Sequence, residues 1–376
     1  MIFASDNQGD LVFITAIPTE TSSFDKKISQ AYSDIQSFLN ENNCTLMSER
    51  IYGRVASAKR IQSLRKQTIE PGSEQFKLHP TFVEGKPFYH EDFAGVHIIA
   101  ARNGAADSLQ DLRKNGVVCG REFHGEEAEY VILSDLASVL PDDIHADKSM
   151  EAYETIRVAG EILQERNWTF QDVRRTWFYL EDILDWYDDF NVSRSKYFHE
   201  SGLMNGSIKS IIPASTGIWG RNAHGFATTM DLLAMRPSDE QEFEVKRMLN
   251  PKQNEATDYG SAFSRGVSVD TTLNTYAFVS GTASIDETGK SIHPNDMEKQ
   301  TARTFDNIEA LLQGVHGDLH SIVQATAFVK HEEDIPVYEA EIEKRGLQDL
   351  PIIQTVADVC RDDLLFELDA TAIISK

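Results

Sequence analysis

Cysteine is scarce in this chain: three residues in 376, Cys44, Cys119 and Cys360, lie far apart and form no CxxC pair. So few cysteines disfavour a disulfide framework and a cysteine-based zinc site, and they fit a reducing compartment. Long apolar runs are also missing, since no stretch approaches the roughly 20 residues that a membrane-spanning helix needs. We therefore expect a soluble cytoplasmic protein.

Positive charge is in short supply as well. The chain has 36 Lys and Arg against 60 Asp and Glu, a formal net charge of −24. Nucleic-acid backbones and anionic membranes bind basic surfaces, so neither is an expected partner. A small anionic substrate is still allowed, because a few local arginines can reverse the potential inside one cleft. The first residues contain early acids and no basic segment, so they do not predict a secretory signal.

Motifs that bind cofactors and metals are absent from the sequence. No glycine-rich phosphate loop, Ser-His-Asp arrangement or zinc signature appears, and GTASIDETGK lacks the spacing and ending of a Walker motif. His293 and Asp296 have no second histidine at helical or strand spacing, so we interpret them as capping a helix that begins near Asn295. The sequence predicts neither a cofactor nor a metal.

The most informative feature that is present is an element order that recurs. From Leu273 onward, apolar patterns predict strand, helix, strand, helix, strand and strand. The first of these helices carries one apolar stripe at helical spacing, formed by Phe305, Ile308, Leu311, Leu312 and Val315. The same order is predicted from Ala128 and, more roughly, over the first hundred residues. SDLAS in the second copy stands where SGTAS stands in the third.

This recurrence predicts three β-α-β-α-β-β modules in one α+β chain, with chance recurrence of a common order as the alternative. The modules span residues 1–110, which is the most divergent copy, residues 126–238, and residues 259–376. Polar and glycine-containing stretches at 103–125 and 236–260 are expected to be linkers between them.

The last strand raises a question about its acids. In a strand, Leu365, Glu367 and Asp369 share one face, because successive side chains alternate. That face could simply be solvated, or the carboxylates could serve a reaction. Only the third copy carries an acid at the position of Glu367, so the last strands of the three copies are not equivalent.

The third copy resembles the Rid/YjgF superfamily. The resemblance is carried by FVSGTASID, the turn at Thr288-Gly289, QTARTFDNIEALL, ATAFVK and FELDATAI. Members of this family are α+β modules of chorismate-mutase-like shape, and three modules pack with sheets inside, helices outside and ligand clefts between neighbours. The resemblance and the three copies together imply a pseudo-trimer within one chain.

A narrower resemblance, over Trp168–Lys376, is to the chorismatases, relatives of Rid proteins that hydrolyse chorismate. It is carried by FNVSRSKYF, IPASTGI, NPKQ with YGSAFSRG, SGTASID and ADVCRDDLLFELD. The chain departs from chorismatases in its N-terminal third, in FYLEDILDWYDDFN and in IWGRN.

These resemblances imply roles for particular residues. Glu367 matches the cleft acid, and Arg194, Arg265 and Arg361 match arginines that grip the substrate carboxylates. Arg361 beside two aspartates could instead form a surface salt-bridge cluster. Cys360 matches a position, small or cysteine in chorismatases, that helps to decide the product, although such a residue is more often a small buried hydrophobe.

Three further residues are weaker candidates. Gly266 is the companion of Cys360 after the FSR motif, and Ser280 lies among small residues that let a ligand or a neighbouring backbone approach closely. Tyr259 could hydrogen-bond a ligand, with core packing as the commoner fate. Rid imine deaminases carry a carboxylate-binding arginine in the strand after the second helix, where TVADVC places Gln354; glutamine binds a carboxylate much more weakly.

The sequence thus predicts a cofactor-free hydrolase or lyase that acts on a small carboxylated, chorismate-like metabolite, with Glu367 as proton donor. A Rid-type imine or enamine deaminase is one alternative, and it would need an arginine from elsewhere in place of Gln354. A non-catalytic ligand-binding or scaffold protein with degenerate clefts is another. A ribonuclease fits the negative charge least. The chain is expected to be a monomeric pseudo-trimer or a homo-oligomer.

Overall fold

The structure is a computed structural model that describes a large part of the chain. The described residues are 1–5, 7–18, 23–69, 73–89, 92–102, 108–141, 144, 147–204, 210–238 and 243–376; for residues 74, 75, 258 and 259 only the backbone is described. Within these ranges the chain forms three mixed sheets and six α-helices. The predicted α+β class is confirmed.

The first sheet is built from the N-terminal residues and has the strand order β1-β2-β6-β3-β4. Its strands are β1 Ile2–Ala4, β2 Leu11–Ala16, β3 Cys44–Gly53, β4 Thr81–Glu84 and β6 Phe93–Arg102, and its helices are α1 Phe24–Glu41 and α2 Ala58–Thr68. A short strand between β4 and β6, β5 Lys86–Pro87, leaves this sheet and pairs with the third sheet.

The second sheet has the strand order β11-β10-β12-β9-β8-β7. Its elements are β7 Leu109–Lys114, β8 Val117–His124, β9 Ala128–Leu133, α3 Lys148–Glu165, β10 Val173–Leu180, α4 Ile183–Glu200, β11 Ala214–Trp219 and β12 Thr228–Pro237. The hairpin of β7 and β8 occupies most of the first expected linker, so the described part of that stretch is an integral edge of the sheet.

The third sheet has the strand order β13-β14-β15-β18-β16-β17-β5. Its elements are β13 Glu244–Arg247, β14 Gly266–Asp270, β15 Asn274–Ala283, α5 Met297–Gln313, β16 Ile322–Val329, α6 Ile335–Arg345, β17 Ile352–Val356 and β18 Phe366–Ser375. The second expected linker contains β13 and a short 3₁₀ helix, Ala256–Tyr259.

Four strands of each sheet follow one common spatial order. The orders are β2-β6-β3-β4, β9-β12-β10-β11 and β15-β18-β16-β17, and in each the last two strands are parallel while the other neighbours are antiparallel. When the four strands of a sheet are taken in chain order, one helix connects the first strand to the second and another connects the second to the third, in every sheet. That these units are three related modules stays a prediction.

The helices cover the outer faces of the sheets. The stripe predicted on α5 is buried at Phe305, Ile308 and Leu311 against its own sheet. Asp296 is the N-cap of this helix, as expected, and its carboxylate accepts a hydrogen bond from the Lys299 backbone nitrogen at 3.1 Å. Each of the other two sheets likewise has an apolar cluster with its own two helices.

The inner faces of the three sheets meet in a shared core. Phe13 of the first sheet, Tyr130 of the second and Tyr276 of the third belong to one apolar cluster. The central strands are therefore covered on both faces, which explains why β2 is buried along its whole length. Among the described residues, no helix has the length and apolar character needed to cross a membrane.

Candidate active site

A large cavity lies where the second sheet meets the third. Its volume is about 1140 Å³, and its walls come from α4 and β11 on one side and from β15, β18 and the loop before β18 on the other. Five of the predicted site residues line it: Arg194, Arg265, Cys360, Arg361 and Glu367. These residues are separated by up to 173 positions in sequence, and the packing of two sheets brings them together.

The strand β18 places Glu367 on the wall of this cavity. Glu367 pairs with Ala283 of β15 and with Phe328 of β16, so it sits between two neighbouring strands. Opposite Glu367, β15 has a bulge, because an advance of three residues from Val279 to Thr282 is matched by an advance of only two residues along β18. Gly281 lies in this bulge, and a side chain there would overlap the Glu367 carboxylate. The bulge and the glycine together make room for the acid.

The environment of Glu367 favours its neutral form. Burial, reinforced by the Asp369 carboxylate, raises the pKa of Glu367 to about 8, although Arg265, Arg175 and Arg361 act in the opposite direction. Desolvation disfavours a charged carboxyl group, and a like charge nearby adds to that effect. The group is therefore a protonated acid at neutral pH and can serve as a proton donor.

The neighbouring acid, Asp369, has a different role from the solvated one that its pattern suggested. It is 4% exposed, and it accepts hydrogen bonds from Arg175 Nη2 at 3.0 Å and from Thr216 Oγ1 at 2.8 Å. Because Arg175 is on β10 and Thr216 on β11, Asp369 ties the third sheet to the second. Its charge is also one reason why Glu367 stays protonated.

Arg194 reaches the cavity from α4. Its guanidinium donates to Asn191 Oδ1 at 2.6 Å and to Ser215 Oγ at 3.3 Å, and it lies 5.0 Å from the ring centroid of Phe190. Arg194 is only 1% exposed, so its side chain is buried in the wall of the cavity.

Arg265 and Arg361 approach from the third sheet. Arg265 precedes β14, and its Nε donates to the Asn254 carbonyl at 2.8 Å. Arg361 donates to the Gly289 carbonyl at 3.0 Å and to Ser291 Oγ at 3.3 Å, rather than pairing with its neighbouring aspartates. These contacts hold both side chains at the wall of the cavity. The cavity therefore has three guanidinium groups near one protonated acid.

Cys360 lines the same cavity as a neutral thiol. Burial, followed by the Glu367 carboxylate, raises its pKa to about 12. A thiol with so high a pKa is a poor nucleophile, which agrees with the sequence interpretation of Cys360 as a small cavity-lining group.

Two of the three weaker candidates, Ser280 and Gly266, do not line the cavity. Ser280 is fully buried; its hydroxyl donates to the Ser264 carbonyl and accepts from the Ser215 backbone nitrogen at 2.8 Å, so it ties β15 to β11. Gly266 packs against Met248 and pairs with Val279. The side chain of Tyr259 lies outside the described residues, although the Gly260 next to it lines the cavity.

The strand registers identify the residues that correspond to Glu367 in the other sheets. Glu367 pairs with the penultimate residue of β16, Phe328. In the second sheet the penultimate residue of β10 pairs with Thr229. In the first sheet the penultimate residue of β3 pairs with Gly95. Neither partner is an acid, so of the three equivalent positions only Glu367 can donate a proton, as expected.

The registers also correct the interpretation of Gln354. This glutamine pairs with the third-last residue of β16, and its side chain contacts Tyr338 away from the Glu367 cavity. In the second sheet the third-last residue of β10 is Phe178, and it pairs with Gly217. Gly217 does line the cavity. The strand that faces Glu367 therefore carries no arginine at this position, and the relevant residue is Gly217.

Sequence reasoning missed several residues that shape the cavity. Gly281 and Gly217 line it, and Arg175 affects it indirectly through its hydrogen bond to Asp369. Gly281 lies in the motif SGTAS and Gly217 lies in STG, and both motifs consist of small, mostly polar residues. Which glycine faces a carboxylate depends on a bulge, and a bulge has no reliable signature in a single sequence.

Comparisons with known proteins agree with this geometry. The family model described as endoribonuclease L-PSP matches residues 256–374. These residues form a Rid/YjgF domain. The predicted resemblance of this part of the chain to the Rid/YjgF superfamily is confirmed. The Rid/YjgF domain covers β14 to β18 and so includes Glu367, Arg265, Cys360 and Arg361, whereas Arg194 comes from the preceding part of the chain.

Two relatives extend the resemblance beyond the Rid/YjgF domain. A 3-hydroxybenzoate synthase of Streptomyces hygroscopicus is 26% identical over 302 residues, which cover 72% of this chain and 84% of that protein. A crystal structure of a chorismatase superposes with a TM-score of 0.63 at 18% identity, covering 87% of this chain and 93% of the other. The chorismatase-like branch of the resemblance is thus confirmed, and the shared fold extends over all three sheets.

Proposed function

We propose that this protein cleaves a small carboxylated metabolite of the chorismate type, with Glu367 as the general acid. The observation that carries the proposal is one protonated, buried carboxyl group beside three arginines in a single cavity of about 1140 Å³. The relatives named for 3-hydroxybenzoate synthesis and for chorismatase activity support the same substrate class.

The chemistry makes two demands on the site. Cleavage of an enolpyruvyl ether begins when an acid protonates the terminal vinyl carbon, which produces an oxocarbenium ion. Water then adds to that ion, and the resulting hemiketal collapses to pyruvate and the ring alcohol. Glu367 supplies the proton, because burial and Asp369 keep it protonated near neutral pH. Its carboxylate, once formed, lies close enough to the cation to stabilise it.

The second demand is recognition of two carboxylates, since chorismate carries one on the ring and one on the enolpyruvyl group. Arg194 binds from α4, while Arg265 and Arg361 bind from the third sheet. Guanidinium groups suit this task because each can donate two parallel hydrogen bonds to one carboxylate. Arginines on opposite walls would hold the substrate across the contact between the sheets.

We also propose that the three units are related Rid-like modules that form a pseudo-trimer within one chain. The common strand order, the shared inner core and the outward helices support this arrangement. Its clefts are unequal, because Thr229 and Gly95 stand where the third unit has Glu367.

A Rid-type imine deaminase is the second candidate, and the Rid/YjgF domain match favours it. That reaction needs a carboxylate-binding arginine on the strand opposite the acid. Gly217 stands at that position, so the alternative requires Arg194 or another side chain to take over the role. The chorismate reaction needs no arginine at that position, because the arginines that line the cavity can bind the substrate carboxylates from where they lie.

The test is incubation of the purified protein with chorismate, following loss of its absorbance and release of pyruvate. We expect stoichiometric pyruvate from the wild type and at least a hundredfold lower rate from Glu367→Gln, which keeps the shape and cannot donate the proton; general acid catalysis contributes ~10²–10⁴-fold. Glu333→Gln, an exposed change on the same unit, is the matched control and keeps the wild-type rate.

A wild type that releases no pyruvate overturns the proposal. Ammonia release from 2-aminoacrylate by the same preparation would then establish the deaminase. Failure of both reactions, with the fold intact by circular dichroism, would favour a ligand-binding protein.

A further inference from the structure

Two histidines and an aspartate converge where the first sheet meets the second, away from the Glu367 cavity. His79 lies just before β4, Asp135 follows β9, and His224 lies before β12. His224 Nε2 is 2.7 Å and His79 Nδ1 is 3.3 Å from the same oxygen, Asp135 Oδ2. One ligand atom from each residue lies within 4.8 Å of the other two.

The surrounding backbone holds this cluster in place. The Asp135 backbone nitrogen donates to Thr81 Oγ1 at 2.8 Å and to Asp231 Oδ1 at 2.9 Å. The backbone nitrogen of His79 donates to the Val118 carbonyl at 3.2 Å. Hydrogen bonds from outside the cluster therefore hold the backbone at Asp135 and at His79.

The His224 loop is anchored in the same way. Its backbone nitrogen donates to Asn222 Oδ1 at 3.0 Å, and Asn222 Nδ2 donates to the Phe226 carbonyl at 2.7 Å. These bonds fix both ends of the short turn that presents the imidazole to Asp135.

The aspartate has an oxygen that the protein does not use. Asp135 is 1% exposed, and among the described residues its Oδ1 has no hydrogen-bond partner. A buried carboxylate with an unsatisfied oxygen is costly, so such a group calls for a partner of another kind. His79 and His224 are partly exposed, which leaves a path from solvent to the carboxylate.

We propose that His79, Asp135 and His224 form a binding site for a divalent transition-metal ion, with Zn²⁺ as the reference ion. Two imidazole nitrogens and one carboxylate oxygen are a donor set that zinc prefers, and three protein ligands leave one position open for water. Tetrahedral zinc ligands at ~2.1 Å from the metal lie roughly 3.4 Å apart. Small movements of the two imidazoles reach that spacing.

Such an ion would link the first sheet to the second. His79 belongs to the first unit, and Asp135 and His224 belong to the second, so the metal would link them at a point where they otherwise meet through hydrogen bonds. The sequence did not point to this site because the histidines are 56 and 89 residues from the aspartate.

The test is a calorimetric titration of the full chain, freed of any histidine tag and treated with a chelator, with ZnCl₂. We expect one tight Zn²⁺ per chain and a rise in melting temperature on binding. Loss of a supporting group near a metal ligand costs ~10–100-fold in affinity, and loss of a ligand is expected to cost at least that. His79→Gln, His224→Gln and Asp135→Asn should each show this loss.

Asp135→Asn is the most telling variant. Asp135 has a positive φ of 51°, a conformation that asparagine also adopts readily, so the substitution removes the anionic ligand while the backbone is kept. His199→Gln, at the exposed end of α4, is the matched control and should bind Zn²⁺ as the wild type does.

A second readout is the visible absorption of bound Co²⁺, whose bands report tetrahedral coordination by nitrogen and oxygen. The proposal is overturned if the wild type binds no Zn²⁺ in the titration. It is equally overturned if folded His79→Gln and Asp135→Asn bind Zn²⁺ as tightly as the wild type, because the ion would then lie elsewhere.

Discussion

Two carboxyl groups two residues apart on β18 have different surroundings. Asp369 faces Arg175 and Thr216, which supply a counter-charge and hydrogen bonds. Glu367 faces a cavity whose arginines are held by carbonyl and hydroxyl oxygens, and burial together with Asp369 keeps it protonated. At the residue scale the proposed chemistry therefore depends on a pair of acids, one ion-paired and one neutral.

The raised pKa of Glu367 predicts the pH dependence of the proposed reaction. The protonated form is active, so kcat/KM for chorismate should stay level below the pKa and fall as pH rises through about 8. Pyruvate release measured from roughly pH 6 to 10 checks this. Activity that depends on Glu367 but rises across that range would mean that the carboxylate acts as a base.

The buried ion pair behind the site predicts a stability effect. Asp369→Asn leaves Arg175 buried without its counter-charge, and breaking a buried pair in this way costs ~3–5 kcal/mol in the free energy of unfolding. Urea denaturation measures the change. Asp362→Asn, whose side chain is 90% exposed, is the control and should change stability by less than ~0.5 kcal/mol.

The same variant tests the electrostatics of the acid. Removing the Asp369 charge removes one cause of the raised Glu367 pKa, so the alkaline fall in activity should move to lower pH. An unchanged profile in a folded Asp369→Asn variant would contradict the coupling between the two acids.

At the scale of elements, the bulge in β15 and the position of α4 shape the cavity. The bulge brings Gly281 opposite Glu367, and α4 contributes Arg194 from the second unit. Neither sheet contains the whole site, since β18 supplies the acid and α4 supplies an arginine.

The bulge makes a specific prediction for Gly281→Ala. A Cβ at this position overlaps Glu367 Oε1 and lies 2.9 Å from Glu367 Cδ, so the carboxyl group must move from its place. We expect kcat/KM for chorismate to fall at least ~100-fold, because a displacement of about 1 Å in a catalytic group can cost that much. Gly314→Ala, at the C-terminal end of α5 and outside the cavity, controls for the general effect of adding a methyl group. Near wild-type activity of Gly281→Ala would show that the carboxyl position is not critical.

Helix stripes and strand alternation were predictable from the sequence, and so was the N-cap of α5 at Asp296. Glu367 and the three arginines were found through short motifs that resemble a known family. Three features needed the fold: the burial of Asp369, the position of Gly217 opposite the acid, and the hairpin of β7 and β8 in an expected linker. Each depends on which sheet packs against which, and a local pattern does not contain that information.

At the scale of the whole molecule, three sheets in one chain enclose a common core and create clefts between them. The chain has a net charge of −24, although three arginines line the cavity. That charge weighs against RNA as a substrate, despite the description of the matching family model, because phosphate backbones require a basic face.

The pseudo-trimer predicts the mass of the particle in solution. If one chain supplies all three units, light scattering should give a mass near that of a single chain, 42.3 kDa. The inner faces are already covered by one another, so no second or third chain is needed to bury them. A mass of three chains would show that the clefts form between molecules instead.

The sequence by itself determined the α+β class and the recurring element order, and it pointed to Glu367 as the candidate acid. These follow from local periodicity and from short motifs, which are properties of neighbouring residues. Tertiary structure alone decided that Glu367 is protonated, that Asp369 is an ion-paired tie, and that Asp135 meets His79 and His224. The reason is that burial and charge act through space, so residues far apart in the chain set the protonation and the partners of each group.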